Sequence, residues 1–304
     1  MYLILILYAL FGSTFTLGDA VVRVMPPLLF ISIRMILSGL LLLGFVKIQH
    51  KKDFKFNIKH LPWFLGIIFF HIYLSYSSEY FSFQYLSSAK VALFYNLSPF
   101  ITALFAYFIF KEIMTPRKWL GLAIGFGGFL PLLESQAPSI ESTLGNFGFI
   151  SVAEIIALVS VTSACIGWIF LKKLTTDFNY SYIFVNGFGM LFGGILALIT
   201  SHSTETWPAF DYIFYSFPFW RSLLLLILIG NVICFNLYGK LLHTYSTTML
   251  AFFGFITPLF TAFFSWVWLG ESVSTAFFLT IGLVTCGLYI FYQEELKLGY
   301  ITHK

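Results

Sequence analysis

Residues 87–128 read SSAKVALFYNLSPFITALFAYFIFKEIMTPRKWLGLAIGFGG, and residues 246–287 read STTMLAFFGFITPLFTAFFSWVWLGESVSTAFFLTIGLVTCG. Laid together without a gap, Ser87 meets Ser246, Ala92 meets Ala251 and Phe94 meets Phe253. Pro99 then meets Pro258, Thr102 meets Thr261, Glu112 meets Glu271 and Gly128 meets Gly287. Chance readily pairs Phe with Phe in so aromatic a chain, but it does not place Pro and Glu at one common spacing. The shift from 87 to 246 is about half the chain, so the sequence reads as two related halves.

The 304 residues around this repeat are 59% hydrophobic and only 10% charged, where soluble domains carry about 25% charged residues. Mean hydropathy is +0.89. Thirteen acids and seventeen bases cannot give a chain of this size a polar skin. That excludes a cytosolic enzyme, a nucleic-acid-binding domain and a disordered chain. Lipid must be the main solvent. The 39 phenylalanines suit a membrane, and also the AT-rich genomes of many host-dependent bacteria.

A spanning helix takes about 20 apolar residues. Runs bounded by Pro, Gly and charge predict helices at 2–21, 27–46, 61–82, 88–110, 117–133, 148–171, 180–200, 218–239, 246–269 and 275–292. Lys47, Lys51, Lys52, Lys55, Lys59, Lys111, Arg117, Lys118, Lys172, Lys173, Lys240, Lys297 and Lys304 fall on one side. Arg23, Lys90 and Arg221 fall on the other, and Arg34 lies within a helix. The positive-inside rule then places both termini in the cytoplasm. Five helices per half is an odd number, so the copies run inverted through the membrane, a pattern of secondary carriers that bind substrate near the midplane. The expected architecture is an all-α membrane protein with ten transmembrane helices in two inverted five-helix repeats. The repeats fall at 1–134 and 147–293, with a cytoplasmic tail at 294–304.

The paired segments resemble the EamA family of the drug/metabolite transporter superfamily. The resemblance is carried by Ser88-Ala89, Pro99, Glu112, Gly121 and Gly128, repeated as Thr247-Thr248, Pro258, Glu271, Gly282 and Gly287. The stretch Leu10–Phe15, followed by Pro27 and Arg34, resembles the family's first two helices. Phe11 departs from the family's usual Trp, and the segment around Ala164–Trp168 matches weakly. The resemblance implies a carrier of small metabolites, not an enzyme, and is loose about the substrate.

Ionisable groups within spans are costly and are therefore candidates for function. Arg34 can hold a carboxylate through its guanidinium fork, or can form a structural pair with Asp19. His71, Ser75, Ser78 and Glu79 stand at i, i+4, i+7 and i+8, on one helical face. They read either as a stripe facing a cavity, able to move a proton or hold an ammonium, or as an interhelical hydrogen-bond network. Glu154, with Asp19 and Glu79, makes an acidic outer vestibule or else lies exposed in an outer loop. Tyr73, Tyr76, Tyr80, Tyr95, Trp168 and Tyr238 are candidates for aromatic walls. Asn96 and Asn231 either line a cavity or join helices. Pro99 and Pro258 suggest paired helix kinks beside a cavity. The substrate-binding set is accordingly Arg34, His71, Ser75, Glu79, Tyr95, Asn96, Glu154, Trp168 and Asn231.

The cysteines Cys165, Cys234 and Cys286 read as small buried hydrophobes. There is no HExxH, GxSxG, P-loop or zinc spacing, and no catalytic residue, metal or cofactor is expected. The expected function is secondary transport of a small polar metabolite across a bacterial inner membrane, driven by protons or by exchange. The substrate leans to amino acids or an amino-acid-bearing compound such as S-adenosylmethionine. Rival readings are efflux of another drug or metabolite, a membrane-embedded enzyme using His71 with Ser75, and a non-transporting membrane protein.

Overall fold

The computed structural model describes residues 2–22, 25–86, 91–92, 94–128, 146–147, 150–207, 217–269 and 275–299. They are helical apart from loops and one antiparallel pairing of Asn146 with Ser151 and Phe147 with Ile150. The helices are α1 (Tyr2–Val22), α2 (Pro27–Gln49), α3 (61–82), α4 (Ser98–Phe110), α5 (Pro116–Gly127), α6 (Val152–Lys172), α7 (Tyr182–Thr204), α8 (217–241), α9 (Thr247–Phe253), α10 (Thr257–Leu269) and α11 (Thr275–Lys297). Among the described residues, five helices are long and apolar enough to cross a membrane. They contain α2, α3, α6, α7 and α8. Side chains such as Leu41, Phe108 and Leu279 remain exposed on the surface, as a lipid-facing exterior requires.

Interruptions in the helices recur at the spacing of the sequence repeat. A 3-10 turn at Tyr95–Leu97 precedes α4, and another at Gly254–Ile256 joins α9 to α10. A π-helical stretch occupies Ile67–Leu74 of α3, and a second occupies Leu226–Cys234 of α8. Pro99 and Pro258 each take the second position of the helix that follows the 3-10 turn. There a missing N–H forfeits no intrahelical bond. The prolines therefore stand at a break between helices and not, as the sequence suggests, in the interior of one.

Helix packing follows the same pairing. α2 packs along α7, and α5 along α11. α1 packs on α8 and α10, while α6 packs on α3 and α4. Glycine makes the closest approaches possible. A Cβ on Gly39 would stand 2.5 Å from the backbone N of Leu191, and one on Gly287 would stand 2.6 Å from the carbonyl oxygen of Gly121. Gly189 and Gly193 of α7 admit Ile67 and Ile72 of α3, and Gly194 admits Ile36 of α2. α2 begins after Pro26 without a side-chain cap of its own. Its free N–H groups at Leu28 and Leu29 donate to the Glu205 carboxylate, both at 2.9 Å, a favourable place for negative charge.

At the opposite end of the bundle, charge is buried. Glu112 accepts from Lys172 Nζ at 2.8 Å, from the Thr248 hydroxyl at 2.8 Å and from the Thr247 N–H at 3.3 Å. It thus anchors the start of α9 to α6. Its repeat counterpart, Glu271, lies outside the described residues. Lys118 is fully buried against Glu295, which also accepts from the Ser246 hydroxyl at 2.5 Å. Two expectations change here. Lys118, counted as an exposed cytoplasmic base, is interior. α11 runs to Lys297, past the expected end at 292 and into the expected tail. Cys165 and Cys234 are buried, but Cys286 is exposed.

Removing one member of a buried ion pair costs about 3–5 kcal/mol, whereas replacing both with apolar groups is often neutral. Lys118→Met alone is therefore expected to lower thermal stability in detergent sharply, and Lys118→Met with Glu295→Leu to restore most of it. Equal losses in the single and double variants would contradict this account of the pair.

Candidate functional site

A cavity opens where the two sets of interrupted helices meet. It is a partly enclosed cavity of about 100 Å³, below the ~300–1,000 Å³ of typical small-molecule sites. α1 supplies Tyr8, Phe11, Thr14 and Phe15, and α2 supplies Arg34. α3 supplies His71, Ser75, Tyr76, Glu79 and Tyr80. Tyr95, Ser98 and Thr102 come from the break before α4 and from α4 itself. The second half adds Ala164, Cys165, Trp168, Gly230, Phe235, Tyr238, Ala251, Gly254 and Thr257.

One end of the cavity is charged. Arg34 is 2% exposed. Its Nε donates to Asn231 Oδ1 at 2.6 Å, and a terminal nitrogen donates to the Tyr80 hydroxyl at 2.9 Å. Its guanidinium carbon lies 5.1 Å from the centre of the Tyr76 ring, a cation–π distance. Gly230 makes room, since a Cβ there would come 2.6 Å from the second terminal nitrogen. A guanidinium carries five N–H donors, so donors remain for a ligand. Glu79 is held separately. Its Oε2 accepts from the Tyr95 hydroxyl at 2.5 Å, and Tyr95 also meets Ser160 Oγ at 3.1 Å. Ser160 in turn donates to the Ser75 carbonyl at 2.9 Å. A guanidinium and a carboxyl group thus reach one cavity, each positioned by its own tyrosine.

The other end is aromatic. Trp168 stacks on Tyr238 with ring centres 3.8 Å apart and planes at 21°. His71 meets the Trp168 ring at 4.2 Å and the Phe235 ring at 5.0 Å. Phe235 and Tyr76, which correspond under the repeat, are stacked at 6.1 Å. Tyr8 donates from its hydroxyl to the Leu250 carbonyl. This fixes α1 against α9 at the cavity's edge.

Of the sequence-predicted residues, Arg34, His71, Ser75, Glu79, Tyr95 and Trp168 line this cavity, and three do not. Asn231 acts one step back, as an acceptor for Arg34. Asn96 is buried beside the cavity, and its amide nitrogen and oxygen have no hydrogen-bond partner among the described residues. Glu154 completes a capping box with Ser151 at the start of α6: its Oε2 accepts from the Ser151 N–H at 2.7 Å, and its own N–H donates to Ser151 Oγ at 3.2 Å. The Ser-x-x-Glu pattern signals that role directly, so Glu154 is neither a vestibule residue nor a free loop carboxylate.

Ser78 is buried but stands off the cavity, and Tyr73 instead bonds Thr200 at 3.0 Å. The side chain of Asp19, offered as Arg34's structural partner, and all of Lys90 lie outside the described residues. Neither nitrogen of His71 bonds Ser75, so the pair lacks the contact that a base-activated nucleophile needs. Sequence reasoning passed over Tyr8, Phe15, Thr102 and Phe235, which sit in apolar runs with no polar periodicity to distinguish them.

The EamA-like transporter family model matches residues 1–133 and 151–293. The chain is 29% identical to an S-adenosylmethionine/S-adenosylhomocysteine transporter of Chlamydia muridarum, over 99% of this chain and 94% of that one. A second such transporter, from Chlamydia trachomatis serovar D, is also 29% identical, with coverages of 99% and 91%. An uncharacterised transporter of Bacillus subtilis, YvbV, is 27% identical over 90% of this chain and 84% of that one. A solved crystal structure at 18% identity superposes with a TM-score of 0.74 over 97% of each chain and shows the same fold.

The two asparagines separate a positioning contact from an idle amide. Asn231→Leu leaves a buried guanidinium N–H unpaired and is expected to cost about 1–3 kcal/mol. Asn96→Leu removes two polar atoms that have no described partner, and is expected to be neutral or stabilising. Thermal unfolding of the detergent-purified variants checks the order. Greater damage from Asn96→Leu would overturn it.

Proposed function

The chain belongs to the EamA-like transporter family, and we propose that its substrate is S-adenosylmethionine or a close amino-acid-bearing relative. The observation that carries this reading is the division of the cavity. Arg34 and Glu79 are presented separately at one end, and the other end is aromatic. Arg34 suits the carboxylate, because a guanidinium fork matches two carboxylate oxygens. Glu79 suits an ammonium or sulfonium cation. The Trp168–Tyr238 wall suits a flat base. The Chlamydia relatives, named for this substrate and its demethylated product, support the same choice.

In this reading the protein is a carrier in a bacterial inner membrane, with ten spans in two inverted repeats at 1–134 and 147–293. Both termini are cytoplasmic. The recurrence of the 3-10 and π interruptions at the repeat spacing supports the repeat, and the lopsided lysines and arginines support the orientation. Pro99 and Pro258, at the 3-10 breaks beside the cavity, are the hinges about which the halves rock. The carrier is driven by a proton gradient or by exchange. Exchange of substrate for its demethylated product needs no group beyond those in the cavity, and that favours it.

Proteoliposomes containing the purified protein are expected to take up labelled S-adenosylmethionine saturably. Uptake should accelerate at least several-fold when unlabelled S-adenosylhomocysteine is loaded inside. Arg34→Ala should reduce uptake at least tenfold, on the scale of a lost charge-assisted hydrogen bond. Absence of saturable uptake would sink the substrate assignment. Acceleration by an imposed pH gradient, without acceleration by internal substrate, would replace exchange with proton coupling.

A further inference from the structure

We infer that His71, set against Trp168, is a specificity residue that reads the hydrogen-bonding edge of the ligand's purine-type base; this rests on the substrate reading above. His71 is 2% exposed and lines the cavity. Neither ring nitrogen meets full hydrogen-bond geometry with a described residue, and the ring has a polar contact with the Ala164 backbone. An imidazole in contact with one backbone group keeps its other nitrogen unpaired, and such buried groups in folded chains call for an explanation. The backbone is arranged to hold the ring where it is. Gly167 faces it, and a Cβ there would come 2.1 Å from Nδ1. The π-helical stretch Ile67–Leu74 carries it, and single π turns within helices are frequent at functional sites.

The repeat shows that the fold does not need this side chain. The π-helical stretch of α8 forms at the same spacing, and the residue there that corresponds to His71 is Gly230. The two π turns are thus used differently. One presents His71 to the aromatic end, and the other withdraws a side chain so that Arg34 can enter. A neutral imidazole offers one N–H donor and one nitrogen acceptor. Of the groups on such a ligand, the base is the flat one. Its edges carry ring-nitrogen acceptors beside an exocyclic amino donor, and its face matches the aromatic wall. The amino-acid head is drawn instead to Arg34 and Glu79.

The test compares competitors of S-adenosylmethionine uptake in proteoliposomes: S-adenosylhomocysteine and its 1-deaza and 7-deaza analogues, each with one ring nitrogen replaced by C–H. In the wild type, one deaza analogue is expected to compete about tenfold more weakly than the parent, as sites built to bond a polar group reject analogues that lack it. In His71→Ala that ratio should fall to near one, and His71→Gln, which keeps a donor and an acceptor, should retain part of it. If His71→Ala does not yield folded protein, His71→Phe, which keeps a ring, takes its place. Equal competition by all three compounds in the wild type overturns the inference, as does an undiminished ratio in the alanine or phenylalanine variant. Failure of the wild type to take up any S-adenosylmethionine is a different result: it overturns the substrate reading, and this inference with it.

Discussion

A guanidinium inside a chain that lipid solvates has to be satisfied by the chain itself, since hydrocarbon offers nothing to accept its protons. Arg34 is met by Asn231 and Tyr80, with the face of Tyr76 beside it. Those partners come from α8 and α3, so one side chain of α2 ties three helices across the two halves. Its geometry also determines what the cavity can bind. Glu79 lines the same cavity as Arg34, but its carboxylate is taken by Tyr95. A guanidinium and a carboxyl group therefore stay available to a zwitterion.

Irregular backbone is tolerated in a bilayer only where protein or a cavity surrounds it. Here the 3-10 turns before α4 and α10 and the π stretches of α3 and α8 all contribute residues to the cavity wall. The interruptions recur at the spacing of the sequence repeat, and departures from that repeat supply the chemistry. His71 opposite Gly230, and Arg34 with no basic counterpart at the matching place in α7, make the two ends of the cavity unlike. A symmetric cavity would not hold a ligand with a charged head and an aromatic tail in one orientation.

Much of this was legible beforehand because the informative residues are rare in so apolar a chain. Pro, Glu and Gly at a common spacing revealed the sequence repeat, and His71, Ser75 and Glu79 at helical spacing revealed the cavity face. What stayed hidden has physical causes. Lys118 looked like any cytoplasmic lysine, because its partner Glu295 lies far along the chain. Glu154 looked like a vestibule acid, although Ser151 three residues earlier marks a capping box. Asn96 and Asn231 are alike in sequence, and only packing shows that one serves Arg34. The aromatic wall was visible only in part: Tyr76, Tyr80, Tyr95, Trp168 and Tyr238 were among its candidates, and Tyr8 and Phe235 were not. In a chain with so many phenylalanines and tyrosines, neither type nor spacing separates Tyr8 or Phe235 from residues that face lipid.

The most direct test of the account is the structure of the purified protein with S-adenosylhomocysteine bound. The account predicts the ligand's carboxylate within about 3 Å of the Arg34 guanidinium nitrogens, and its base against Trp168 and Tyr238 with an edge at His71. A ligand lying in the reverse orientation, or bound outside this cavity while Arg34 keeps only its bonds to Tyr80 and Asn231, would contradict it.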